Sequence, residues 1–571
     1  MKQLILILSS FLLFSCSETE LADLIVHNGK IYTVNDAFNI AEAMVISDGK
    51  IIDIGPEHEI LNKYTAKKII DAKKQVIYPG FIDAHCHFVG YALNLKTVNL
   101  VGTKSFEEVI ERVEKFSKEN DNEWIIGRGW DQNDWDVKEF PNRFKLDELF
   151  PNKPVFLTRI DGHAAIANKA ALKRANIHSE TKVKGGIITS TFIPDGNSSW
   201  TLSKVMKEEV AHQNYPYWEP TGILIDNAVG LVSKFIPQPS KKEIELALLN
   251  AQYNLFEVGL TTVSDAGLTK DTIDLIDQLQ QQDKLKIKVY AMITSSEEML
   301  TYYLKKGPYK TPKLTVCSFK FYADGALGSK GASLIEPYSD VHQHNHHGLL
   351  LNEAAFYEKY APLLYEKGFQ MNTHCIGDSA NRLILDIYGK TLKNVNDKRW
   401  RIEHAQVIHP NDFNKFKAYT IIPSVQTTHA TSDMYWAKDR LGAERVKGAY
   451  AYKKLLKQNG IIALGTDFPI EEINPINTFY AAVVRKDSKG YPENGYQMEN
   501  ALTREEALKG MTIWAAISNF EENEKGSLEI GKAADFVILN NDIMTTDEKN
   551  ILSVKVVHTF INGENVFSLK K

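Results

Sequence analysis

Eight apolar segments of strand length, each followed by a stretch with helical spacing, constrain this chain more than any other feature. They run Val76 to His87, Leu260 to Asp265, Ile287 to Ile293, Leu314 to Asp324, Gln370 to His374, Arg401 to Ala405, Ile421 to Gln426 and Ile461 to Asp467. Parallel strands need a crossover between them, so strand–helix alternation implies a parallel sheet, and eight units suggest a (β/α)8 barrel. Such a barrel carries the C-terminal ends of its strands to one mouth, where residues distant in sequence can share a site.

A chain of 571 residues exceeds one compact core, and the remainder divides accordingly. Short strands at Leu24 to Val26, Lys30 to Val34, Ala43 to Ser47 and Lys50 to Ile54 are separated by Asn28-Gly29 and Asp48-Gly49, which are hairpin signals. The same texture returns at Asp535 to Leu539, at Val554 to Ile561, and past Asn562-Gly563 at Asn565 to Phe567. Neither set can bury a face alone. Segments 22–78 and 525–571 are therefore expected to form one composite β-sandwich around a barrel of 79–88 and 242–524. Residues 89–241 break the rhythm after the first strand and carry their own signals at Glu123 to Gly127, Val155 to Arg159 and Ala164 to Ala175. They read as an inserted α+β domain over the barrel mouth, because a structureless loop of that length is implausible.

The start of the chain reads as an export signal over residues 1–16. Lys2 is followed by the apolar run Leu4 to Phe14 and by Leu13-Phe14-Ser15-Cys16, which resembles a bacterial lipobox with Cys16 as the lipidated residue. Phe14 is bulkier than the small residue usual there. The expectation is an exported bacterial lipoprotein on the periplasmic or cell-surface face of the envelope, held to the membrane by its lipid alone. Cys86, Cys317 and Cys375 match no disulfide or zinc-ribbon spacing and read as small buried residues. A net charge of -5 without a basic stripe gives no footing for nucleic acid. The expected partner is a small-molecule substrate, and a homo-oligomer is compatible with the sequence.

Pro79-Gly80-Phe81-Ile82-Asp83-Ala84-His85-Cys86-His87 carries the strongest chemical signal. Strand side chains alternate, so His85 and His87 point the same way and two imidazoles can grip one metal ion. His374, His404 and Asp467 close the fifth, sixth and eighth strands. Imidazole nitrogens with a carboxylate suit Zn2+ or a similar divalent ion. Lys320 lies between Phe319 and Phe321 on the fourth strand. Burial there lowers a lysine pKa, and a neutral amine can take up CO2 as a metal-bridging carbamate. The residues alone leave a second reading open, an ion pair of Lys320 with Asp324.

The stretch Pro79 to His87 resembles the opening of the amidohydrolase superfamily. Phe319 to Lys330, Asn372 to Asp378, Arg401 to Gln406, Leu464 to Pro469 and the end piece Gly526 to Asp535 resemble its family 3 branch, which includes N-substituted formamide deformylases. The resemblance spans essentially the whole mature chain. It implies a distorted (β/α)8 barrel with a composite sandwich. It also implies one or two metals per chain, with His85, His87 and Asp467 on one, His374 and His404 on a second, and carboxylated Lys320 between them. Asp467, Lys320 and His404 are then the catalytic set, with Asp467 as general base toward metal-activated water. The implied reaction is hydrolysis of an amide-type, non-peptide C–N bond in a small molecule. Deamination or cyclic-amide hydrolysis on the same fold, and a non-catalytic ligand-binding surface lipoprotein, are the alternatives.

Arg159 to Ala164 resembles a family segment, which makes His163 a substrate contact. Trp130, Asp131, Asp324, Gln426 and His429 are further candidates for that role, with plain packing or solvation as the alternative and a place in the core the stronger reading for Trp130. His342, His344, His346 and His347 crowd a polar loop and read as solvated rather than as a second zinc site.

Overall fold

The computed structural model describes residues 20–193, 217–341 and 345–570. The export signal and Cys16 lie outside them. Eight parallel strands neighbour one another in chain order: β1 (Phe81–Cys86), β2 (Leu260–Leu268), β3 (Lys288–Thr294), β4 (Leu314–Tyr322), β5 (Gln370–Cys375), β6 (Arg401–His404), β7 (Ile422–Val425) and β8 (Ala463–Leu464). All eight expected segments thus reach the barrel.

The first does so only in part. Val76–Pro79 pairs with Phe536–Leu539 in the sandwich, and only Phe81–Cys86 enters the barrel. Gly80 makes the crossing possible, since a Cβ there would sit 2.4 Å from the Thr261 side chain. The barrel is distorted at its seam. At the mouth Asp467 N donates to His85 O at 2.7 Å and His87 N to Phe468 O at 2.8 Å, whereas deeper down Ile82 N turns to Met511 O at 2.9 Å. Ala515 and Ala516, from the helix Ile513–Ser518, fill the gap against Ile82, Ala84 and Ala463.

The sandwich joins a four-stranded sheet made wholly of N-terminal residues to a six-stranded one that mixes both ends. In the latter, Lys30–Tyr32, Ile40–Ala41 and Val76–Pro79 meet Phe536–Leu539, Val556–Ile561 and Glu564–Ser568. Leu24, Val26, Ile46, Ile77, Phe536 and Phe560 are buried between the sheets. Tyr64–Asp71, a polar strand that periodicity does not reveal, pairs in parallel with Glu20–His27.

Between β1 and β2 the chain builds a separate six-stranded sheet, ordered Gly186–Ile193, Tyr217–Asp226, Ala164–Ala167, Val155–Arg159, Ile125–Trp130 and Val98–Asn99. Apolar clusters lie on both of its faces, one around Trp130 and Leu157, the other around Phe156 and Leu172. No helix among the described residues is long and apolar enough to cross a membrane.

Candidate metal centre

The barrel mouth collects six side chains from five strand ends. His85 and His87 arrive from β1, Lys320 from β4, His374 from β5, His404 from β6, and Asp467 from the turn after β8. His85, His404 and Asp467 are buried, with ligand atoms all within 4.8 Å of one another. Asp467 Oδ1 lies 3.3 Å from His87 Nε2 and 3.6 Å from His85 Nε2. Lys320 Nζ is 3.0 Å from His85 Nε2, and the His374 and His404 rings are 4.5 Å apart. His404 and Asp467 both take left-handed backbone, with φ of 71° and 61°. That conformation costs a side-chain-bearing residue about 1–2 kcal/mol and persists where surrounding structure imposes it.

A layer of fixed acceptors behind the histidines sets how each ring is presented. His87 Nδ1 donates to Ala266 O at 2.9 Å and His404 Nδ1 to Gln426 Oε1 at 2.7 Å. His85 Nδ1 bonds the Glu403 carboxylate, which Arg401 grips from Nε to Oε1 at 2.7 Å. Burial pushes the Glu403 pKa up, but Arg401 and then His85 overcome it and hold the group well below the usual carboxylate range. With Nδ1 committed as the donor, each ring turns an Nε2 lone pair toward the centre.

The centre itself is electrostatically prepared for a cation. Burial lowers the His85 pKa to about 4, and drives His374 and His404 well below the ordinary imidazole value, so the rings are neutral ligands. Burial opposes ionisation of Asp467, yet His87, His85 and His404 keep its pKa far down. His374 Nε2, His404 Nε2 and Asp467 Oδ1 are buried with no hydrogen-bond partner. Buried polar atoms are normally satisfied, and His404 Nε2 and Asp467 Oδ1, orphans of ligand type that lie together with His85, fit a divalent metal; His374 Nε2 lies 3.7 Å from Asp324 Oδ1. Burial brings the Lys320 pKa down to about 8, with Glu403 and Asp467 opposing.

Asp324 does not pair with Lys320. Its carboxylate accepts from Ser333 N at 2.8 Å, Ile376 N at 3.0 Å and Gly377 N at 2.8 Å, binding the loop after β4 to the end of β5. No carboxylate among the described residues lies within ion-pair distance of Lys320.

A cavity of about 1240 Å3 opens onto the centre, with the inserted sheet supplying one wall. His163 and His429 line it beside His374, His404 and Asp467. His163 Nδ1 meets Asp226 Oδ1 at 2.8 Å and its ring lies 5.0 Å from that of His374. His429 stacks 6.1 Å from His404. Three expected substrate contacts are corrected. Trp130 is 1% exposed, donates to Leu157 O and belongs to the core of the inserted sheet. Asp324 is engaged by the three backbone N–H groups and lies off the cavity. Gln426 lies behind His404 and orients it. His346 and His347 bond the carbonyls of Lys330 and Leu334, while His342 and His344 lie outside the described residues.

Glu403, Arg401 and Asp83 are supports that sequence reasoning missed. Asp83 is 2% exposed and accepts from His85 N at 3.1 Å and Thr466 Oγ1 at 2.7 Å, pinning β1 to the turn that carries Asp467. A legible signal existed for the other two. In Arg401-Ile402-Glu403-His404, period-two alternation places Arg401 and Glu403 on one face of a buried strand, where opposite charges must pair.

Known proteins bear on this arrangement. The model of the amidohydrolase family matches residues 68–193 and 200–567. The chain is 32% identical to Protein LONG AFTER FAR-RED 3 of Arabidopsis thaliana, over 96% of this chain and 92% of that one. It is 23% identical to the N-substituted formamide deformylase of Arthrobacter pascens, over 95% and 98%. An uncharacterised metal-dependent hydrolase from Pyrococcus horikoshii superimposes with a TM-score of 0.71 and 28% identity, covering 92% of this chain and 99% of that one.

Proposed function

The chain belongs to the amidohydrolase family, and from that premise we propose that it hydrolyses an amide-type, non-peptide C–N bond in a small molecule, using one or two zinc-type ions at the barrel mouth. The observation that carries this reading is the convergence of buried His85, His404 and Asp467, with ligand atoms within 4.8 Å of one another and His404 Nε2 and Asp467 Oδ1 without a hydrogen bond, on a cavity of substrate size. In this reading His85, His87 and Asp467 would hold one ion, and His374 and His404 a second where two are bound. Lys320, whose neutral amine could add CO2 with loss of a proton, would supply a carbamate as a further ligand. Such an ion supplies Lewis acidity and lowers the pKa of water toward neutrality.

The protein residues divide the remaining work. Asp467, held ionised, takes the proton from water and returns it to the leaving nitrogen as the C–N bond breaks. Gln426 and the Glu403–Arg401 pair keep His404 and His85 in the ligand orientation. His163 and His429 flank the space where the scissile group would sit. Similarity over 98% of an N-substituted formamide deformylase supports N-formyl amines, and by extension other N-acyl amines, as candidate substrates of this chain. For the start of the chain we propose the envelope lipoprotein described above, with Cys16 as the lipid-bearing residue.

The test is a screen of zinc-loaded protein against N-formyl and N-acyl amines, read by amine release with and without chelator. Chelator-sensitive amine release is expected. Ammonia release from amino-substituted heterocycles, with every amide left intact, would instead assign the site to deamination.

A further inference from the structure

Two arginines of the inserted sheet face the cavity, and they differ in how their charge is answered. Arg159 is saturated. Its guanidinium pairs with Asp131 and Asp161 and donates from Nε to Gln132 Oε1 at 2.8 Å. Arg128 has a single hydrogen bond, from Nη2 to Ile160 O at 2.9 Å, and its Nε is buried without a partner. No carboxylate among the described residues lies within ion-pair distance of it. A guanidinium carries five N–H donors, and leaving them unanswered in a partly dry site is unfavourable.

The local backbone is built to aim this side chain. The pairing of Ile125–Trp130 with Val155–Arg159 shifts register between Arg128 and Trp130, a bulge at Gly129. Gly129 has a φ of 114°, and a Cβ there would sit 2.5 Å from Val101 Cγ2 and 2.8 Å from Val101 N, so no other residue fits. In a regular strand Arg128 and Trp130, two residues apart, would share a face; here they pair with the adjacent residues Thr158 and Arg159 and so point to opposite faces. Trp130 accordingly enters the core while Arg128 lines the cavity. Gly162 completes the seat, because a Cβ on it would lie 3.1 Å from Arg128 Nη2. The guanidinium therefore rests against the Asp161–Gly162 turn in the cavity wall, with Nη2 to Ile160 O as its one hydrogen bond. Two carboxylates are felt by its charge without pairing with it, first Asp161, which is ion-paired to Arg159, and then Asp467.

We propose that Arg128 anchors a carboxylate on the substrate, so that the preferred substrates are N-acylated amines bearing an acid group, as in N-acyl amino acids. Guanidinium–carboxylate recognition supplies both charge and a planar fork of donors. This inference rests on the amide-hydrolysis reading for its substrate class, and the anion site itself can be tested without that reading.

The experiment compares zinc-loaded wild type with Arg128→Met and Arg128→Lys on N-acetylphenylalanine and on N-acetyl-2-phenylethylamine, its counterpart without the acid. The ratio of kcat/KM for the acid to that for the neutral amide should fall about 10- to 100-fold in Arg128→Met, chiefly through KM, with Arg128→Lys between. A purely structural role would lower both substrates together and leave the ratio unmoved, which would overturn the proposal. Calorimetric binding of phenylacetate against phenylacetamide to the same zinc-loaded proteins supplies the second readout. Any affinity gained from the metal is common to wild type and variant, so the ratio again isolates Arg128. If neither amide is cleaved yet phenylacetate loses affinity selectively in Arg128→Met, the anion site stands and the amide reading falls. Equal phenylacetate affinity in the two proteins overturns the anion site whatever the kinetics.

Discussion

Lys288 and Lys320 sit on adjacent barrel strands, are 2% and 1% exposed, and answer burial in opposite ways. Lys288 begins β3 at the barrel floor and donates to Asp535 Oδ2 at 2.6 Å and Asn562 Oδ1 at 2.8 Å, tying the C-terminal sandwich segment to the barrel. Lys320 ends β4 at the mouth, has no acid partner, and touches a histidine nitrogen at 3.0 Å. Burial lowers the pKa of both, and in Lys288 the ion pair with Asp535 works against it. Burial of a lysine thus says little about its purpose. The surroundings discriminate, since the floor is satisfied and the mouth holds orphaned atoms.

The comparison breaks if the two lysines behave alike on substitution. Lys320→Met should fold, lose bound metal, and lose at least about 1000-fold in kcat/KM, as should Asp467→Asn, which removes a proton acceptor of the kind worth about 100- to 10,000-fold. Lys288→Met should instead strand the buried Asp535 carboxylate and cost about 3–5 kcal/mol of stability, measured by denaturant unfolding, while metal per folded molecule stays at the wild-type level. A stable Lys288→Met with depleted metal would reverse the assignment of floor and mouth.

Smaller effects sharpen the boundary between them. Gln426→Leu frees His404 Nδ1 and should weaken zinc affinity about 10- to 100-fold, as read by competition with a chromophoric chelator. Glu403→Gln should do the same and also alter acid stability. The folded-state pKa of Glu403 is depressed, so its contribution is present above the unfolded carboxylate value of about 4.3 and is lost as pH falls below it. The variant should therefore show a shallower loss of stability below about pH 4 than wild type. Smallest of all, Trp130→Phe should change KM less than about twofold, because that ring packs in the core; a tenfold rise would restore it to the substrate wall.

Where the sequence was legible, it was because strand periodicity and barrel topology act together. His85 and His87 share a face by alternation, and all six proposed ligands fall at strand ends that the fold must gather. The residues behind them were harder to assign. Gln426 sits at the end of β7 in the same layer as His404, and alternation alone does not say whether such an amide faces the cavity or its neighbour. Trp130 and Arg128 were hard to assign for one reason, since the bulge at Gly129 puts on opposite faces two residues that a regular strand would place on one. The Lys320–Asp324 pair failed because Asp324 follows β4 and is claimed by backbone N–H groups from two loops, contacts that no sequence pattern announces.

Metal analysis of the purified chain after expression with zinc tests the central claim most directly. The account predicts one or two equivalents bound, with C–N bond hydrolysis abolished by chelator and restored by zinc. A folded protein that holds no metal, with His85, His374, His404 and Asp467 intact, would contradict it.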